Sequence, residues 1–138
     1  MARGPANPDT IRIVAAVIVD DGGKLLLVRK RGTTKFMQPG GKIEPHEDEL
    51  AALARELEEE LGCTLDMESA RAFGRFQGPS ANEPGAVLEA SLYSARITGT
   101  PTPQNEIDEI LWLTDVLAET TDLAPLTRTF VLPRLKEA

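Results

Sequence analysis

Residues 40–63 read GGKIEPHEDELAALARELEEELGC. Between 49 and 61 there is no glycine, no proline and no β-branched residue, and nearly every side chain is a strong helix former. Asp48 stands where a helix N-cap is expected, and Gly62 where a left-handed stop is expected. At about 100° per residue, Leu50, Leu53, Ala54, Leu57 and Leu61 share one arc, which predicts a helix with a single core-facing stripe. Beside that stripe Glu56, Glu59 and Glu60 recur at i, i+3 and i+4, a spacing at which like charges repel by roughly 0.2–0.5 kcal/mol per pair. Glu59 and Glu60 fall in the last turn, where the helix dipole disfavours negative charge. A divalent cation would resolve this conflict, and oxygen-only donors suit Mg²⁺, with Mn²⁺ as a substitute. The alternative is a solvated acidic face, the role expected of Glu58 on the outer side.

The acidity of the chain is concentrated here. The 138 residues carry 22 acids and 15 bases, a net charge of −7. Residues 44–60 alone hold eight of those acids and one base, which leaves the remainder neutral. That balance argues against a binder of nucleic-acid backbone, which needs a basic surface, and against attraction to an anionic membrane. The length fits one domain, assigned to residues 1–138 with 1–9 as a loose polar arm. The single cysteine, Cys63, excludes an internal disulfide and fits a reducing compartment. No segment approaches the roughly 20 apolar residues of a membrane span, and none reads as a signal peptide. A cytoplasmic location is the expectation.

Outward from the helix, the pattern is one of strands. Residues 11–19 are apolar on both alternating faces, as in a buried central strand. Asp21, Gly22 and Gly23 predict a tight turn into a second strand at 25–28. Further strands are expected at 71–77, 87–97 and 107–113, the last carrying Trp112, with a C-terminal helix at 123–132 ending near Pro133. Strands and helices mixed without regular alternation indicate α+β, or a sandwich built on a mixed sheet.

From Gly41 the chain gives Glu47, then Arg55-Glu56-Leu57, then Glu59-Glu60, then Gly62-Cys63. This resembles the box of the Nudix hydrolase superfamily, in the MutT-like, single-domain form: G-x5-E-x7-R-E-U-x-E-E-x-G-U, with U a bulky aliphatic residue. Only the last position departs, with Cys63 in place of an aliphatic side chain. Upstream, Phe36-Met37-Gln38-Pro39-Gly40-Gly41 is similar to the aromatic-x-x-Pro-Gly-Gly lead-in of the family, with Gln38 where an apolar residue is usual. The resemblance implies an α/β/α sandwich with a mixed sheet between helices. It also implies metal-dependent hydrolysis of a diphosphate linkage in a nucleoside diphosphate linked to X, such as a nucleoside triphosphate or an ADP-ribose-like compound.

The resemblance further implies that Glu59 and Glu60 are the principal metal ligands, with Glu56 as a third or acting through water, and that Gly40 offers its backbone carbonyl. Arg55 would orient a box carboxylate, and Glu47 would anchor the loop to the helix. Glu106 is the candidate for a general base or extra ligand, with Glu109 as its neighbouring alternative. Arg29 and Lys42 are candidates for gripping the diphosphate, Lys35 a weaker one, and Phe36 for lining a ring pocket. His46 occupies an unspecified box position and is expected at the surface, and Cys63 is expected buried. The partners implied are small diphosphate substrates rather than nucleic-acid polymer or membrane, and homodimers are frequent in the family. Two other readings stand beside hydrolysis. A non-catalytic binding or regulatory module would normally lack some of the box acids, which are all present here. An enzyme like isopentenyl diphosphate isomerase needs a catalytic cysteine outside the box, which this chain lacks.

Overall fold

The computed structural model describes residues 10–80 and 83–137; the arm expected at 1–9 lies outside them. In chain order the elements are β1 Thr10–Val17, β2 Leu25–Lys30, β3 Gly40–Lys42, α1 Glu49–Leu61, β4 Thr64–Pro79, β5 Val87–Thr98, β6 Ile107–Leu113 and α2 Asp115–Ala118. A π-type helical segment, Leu126–Val131, then runs directly into α3, Leu132–Glu137.

β1 is central because its apolar residues serve two cores at once. Val14, Ala16 and Ile18 pack toward α1, against Leu53, Leu57 and Leu61. Ala15 and Val17 point the other way, into a second core with Leu92, Leu126 and Val131. β1 pairs parallel with β5, from Thr10↔Val87 to Val17↔Ser94, and antiparallel with β3. β4 adds to β5 antiparallel, so the four-stranded sheet runs β3-β1-β5-β4. β2 and β6 form a separate antiparallel pair whose faces contribute to the same two cores. A mixed sheet thus lies between α1 and the C-terminal helical segment, the layering expected of an α/β/α sandwich.

α1 begins and ends where its sequence says. Asp48 accepts a hydrogen bond from the Ala51 N–H at 2.7 Å, and Gly62 closes the helix in the left-handed region at φ 68°. Three segments differ from expectation. β3, read as loop, is a strand because Gly40 (φ 151°) lies directly on β1; a Cβ there would overlap the Val14 carbonyl. β4 starts seven residues before the expected 71, at Thr64, with two register shifts against β5. The C-terminal helix begins at Leu126 and continues past Pro133 to Glu137, the turn before the proline being the wider one in which the Leu132 N–H donates to the Thr127 carbonyl five residues back. No helix among the described residues is long and apolar enough to cross a membrane.

Candidate active site

Arg55 ties the loop before α1 to the helix. Its Nε donates to Glu47 Oε2 at 2.6 Å and its Nη2 to Glu47 Oε1 at 2.8 Å, a two-point grip that matches guanidinium to carboxylate. Nη1 donates to Glu56 Oε2 at 3.0 Å, and Nη2 also reaches the Lys42 carbonyl at 3.1 Å. Glu47 Oε1 accepts in addition from the Glu44 N–H at 3.1 Å. With Arg55 as the main cause and that backbone N–H assisting, the Glu47 carboxyl is held down at about 2. The same pairing raises Arg55.

One turn further along, Glu60 has no such partner. Glu60 is 5% exposed, and its Oε1 accepts from the Gly40 N–H at 3.3 Å. Glu56, with a largely covered side chain, lies against Gly41, where any Cβ would overlap its carboxylate. Two consecutive glycines therefore let two consecutive turns of the helix press their carboxylates against backbone. Burial, then repulsion from Glu56, pushes Glu60 up to about 8. Burial also raises Glu56, against the pull of Arg55. Glu59 sits at the rim, half exposed, with Oε1 3.7 Å from Arg55 Nη1.

Among the described residues no three His, Cys, Asp or Glu side chains close on one point as a preformed metal site. The donor chemistry nevertheless fits a hard divalent cation. Two crowded carboxylates are desolvated beside an open glycine backbone, with Arg55 holding one edge of Glu56 and the Lys30 ammonium acting on both.

Glu60, with Gly40 and Gly41, lines a cleft of about 230 Å³, while Glu56 and Glu59 stand outside its lining. Ile13, Val28, Met37 and Leu88 give it an apolar lining; Glu60, Glu106, Lys30 and Lys42 supply charge. Lys30 Nζ lies 3.6 Å from Glu106 Oε1. Lys42 and Glu106 thus reach the cleft with Gly40 and Glu60. Arg29 does not: its Nε donates to Glu109 Oε1 at 3.0 Å, its Nη2 to Asp108 Oδ2 at 2.8 Å and its Nη1 to the Thr33 carbonyl at 2.9 Å. Those contacts lock β2 to β6 and occupy Glu109 as well. Phe36 packs into the second core rather than lining the cleft, and Lys35 pairs with Asp122 at 2.9 Å. His46 is exposed and Cys63 is 1% exposed, its thiol pushed up by burial.

Several cleft groups, Arg31 and Glu83 among them, were not singled out from sequence as site residues, and two of them are instructive. Lys30 shares a face of β2 with Val28 and lies opposite Arg29, which the period-2 alternation of a strand would have shown. Gln38, the polar departure in the glycine lead-in, is buried but partnered. Its Nε2 donates to the Ala16 carbonyl at 3.2 Å, and its Oε1 accepts from Thr127 Oγ1 at 2.8 Å.

A family model described as the NUDIX domain matches residues 9–130. A CTP pyrophosphohydrolase of Escherichia coli (strain K12) is 47% identical over 57 residues, covering 38% of this chain and 41% of that protein, so the match spans less than half of that relative's length. The solution structure of the E. coli ORF135 protein is similar with a TM-score of 0.71 and 29% identity, covering 96% of this chain and 91% of the other. A MutT NUDIX hydrolase from Burkholderia pseudomallei is similar with a TM-score of 0.65 and 26% identity, covering 80% and 94%.

Proposed function

The chain belongs to the NUDIX domain family, and from that premise we propose that it hydrolyses the diphosphate linkage of a small nucleoside diphosphate derivative with a divalent cation, Mg²⁺ or Mn²⁺. The observation that carries this reading is the pair Glu56 and Glu60, crowded against Gly41 and Gly40, with Arg55 on one edge of Glu56 and Glu60 buried on a backbone N–H alone. Glu60, Glu59 and Glu56, with the Gly40 carbonyl, would hold the cation. When bound, it supplies charge neutralisation for the diphosphate and acidifies a water for attack on phosphorus.

The remaining roles belong to the chain itself. Arg55 keeps Glu56 oriented by its 3.0 Å hydrogen bond while Glu47 takes the other edge of the guanidinium. Lys30 and Lys42 present positive charge to an anionic substrate on the cleft wall. Glu106, whose Oε1 lies 3.6 Å from Lys30 Nζ, would accept a proton at the cleft. The apolar lining suits a ring, and the similarity to a CTP pyrophosphohydrolase favours a nucleoside triphosphate over an ADP-ribose-like compound. This reading sets the protein in the cytoplasm, and the homodimer expected from the family resemblance goes with it. The test is cleavage of nucleoside triphosphates, ADP-ribose, dinucleoside polyphosphates and nucleotide sugars, read by separating the nucleotide products: a nucleoside monophosphate plus pyrophosphate, ribose phosphate or sugar phosphate, or two nucleotides. Hydrolysis of at least one compound with Mg²⁺, abolished by chelation, is expected. No cleavage of any of them with either cation would overturn it.

A further inference from the structure

α1 ends without a basic residue in its last turn, so its final carbonyls need donors from elsewhere. The segment between β5 and β6 supplies them. The Gln104 N–H donates to the Glu60 carbonyl and the Thr102 N–H to the Leu61 carbonyl, both at 3.0 Å. Asn105 adds a side-chain bond, Nδ2 to the Glu59 carbonyl at 2.7 Å. A carbonyl only accepts, so the amide orientation is fixed by this contact. Asn105 is also the one non-glycine residue with positive φ (55°) among the described residues, a conformation asparagine tolerates better than most. On its other side, Arg31 Nη2 donates to the Asn105 carbonyl at 2.9 Å and the Arg31 N–H to the Glu106 carbonyl at 2.8 Å. The residue immediately before Glu106 is thus pinned between the end of α1 and the end of β2.

The two backbone donors cap the carbonyls of Glu60 and Leu61, and the Asn105 side chain takes that of Glu59, so its bond both caps α1 and ties the next segment to it. What the side chain of Asn105 adds is a fixed distance between the α1 carboxylates and the next residue, Glu106. We propose that Asn105 is a positioning residue for the reaction, holding Glu106 at the cleft opposite the acids of α1; this rests on the hydrolase reading above.

The test is the set Asn105→Gly, Glu106→Gln and the double variant. Glycine adopts the left-handed backbone without strain, so the fold and its thermal midpoint in chelator are expected to hold. Asn105→Gly should lower kcat about tenfold, in the range of lost outer-shell support, with KM within about twofold. It should lower kcat no further in the Glu106→Gln background. In the metal-free protein, hydrogen exchange of the Arg31 amide should rise about tenfold while amides within α1 stay unchanged. Asn105→Asp, which keeps size and backbone preference but loses the donor, should behave as Asn105→Gly does.

Equal losses with and without Glu106, an unchanged kcat, or a full-activity Asn105→Asp would overturn the proposal while leaving hydrolysis intact. A wild-type protein that hydrolyses nothing overturns the hydrolase reading, and the positioning role for that reaction with it. The Arg31 exchange then reports the pin on its own.

Discussion

The two halves of α1 carry similar acids under opposite conditions. At the N-terminal half, Asp48 caps the first turn and Glu47 is held by both edges of Arg55, so each negative charge has its donors and Glu47 is pushed down. At the C-terminal half, half-buried Glu56, held on one edge by Arg55, and buried Glu60 lie beside each other near the negative end of the helix dipole, and both are pushed up. The first arrangement stabilises the folded chain by itself. The second is unfavourable until positive charge arrives, and the difference separates carboxylates that hold the fold from carboxylates available for chemistry.

The largest expected effect comes from removing the strained charge. Glu60→Gln should lower hydrolysis by on the order of 10²–10³-fold, as for loss of a principal electrostatic group. The metal-free variant should nevertheless be more stable. A carboxyl raised to about 8 stays protonated in the folded state while the unfolded chain releases its proton above the ordinary 4.5, so its burden grows as pH rises between those values. At pH 7, relief of that burden is worth roughly 1–3 kcal/mol, measured by denaturant unfolding in chelator. A destabilised Glu60→Gln protein would break the contrast.

The opposite sign is expected at the other half. Glu47 is depressed to about 2, so its contribution is fully present above pH 4.5 and is lost as pH falls toward 2. Thermal midpoints between pH 2 and 5 should fall more steeply for the wild type than for Glu47→Gln. The smallest effect is that of Asp48→Ala, expected to cost about 1 kcal/mol of stability with activity within twofold. A large activity loss there would mean that the two halves are not separable.

How much of this was legible depends on whether a signal was local. The bounds of α1 were, since Asp48, Gly62 and an unbroken run of helix formers all act within a turn or two. The charge conflict at Glu56, Glu59 and Glu60 was legible too, although burial of Glu60 rather than Glu59 came only with the packed helix. β3 was not, because two glycines and a lysine have no strand preference; they form one only because β1 lies within reach. The start of the last helical segment is set far from its own sequence, where buried Thr127 meets Gln38. Arg29 drew attention by charge, but strand alternation sends it to Asp108 and Glu109 and brings Lys30 to the cleft. Nothing near Asn105 announced its left-handed backbone; that follows from the end of a helix 46 residues away in sequence.

Cys63 follows the Gly62 stop and lies under the turn at Gly99, 1% exposed and with its thiol raised by burial. A thiol that is both protonated and covered reacts only when the structure around it opens. Because it is the one thiol of the chain, its rate of alkylation is an internal clock for opening at the end of α1. That clock can be read without substrate, without label and without altering a single residue of the cleft.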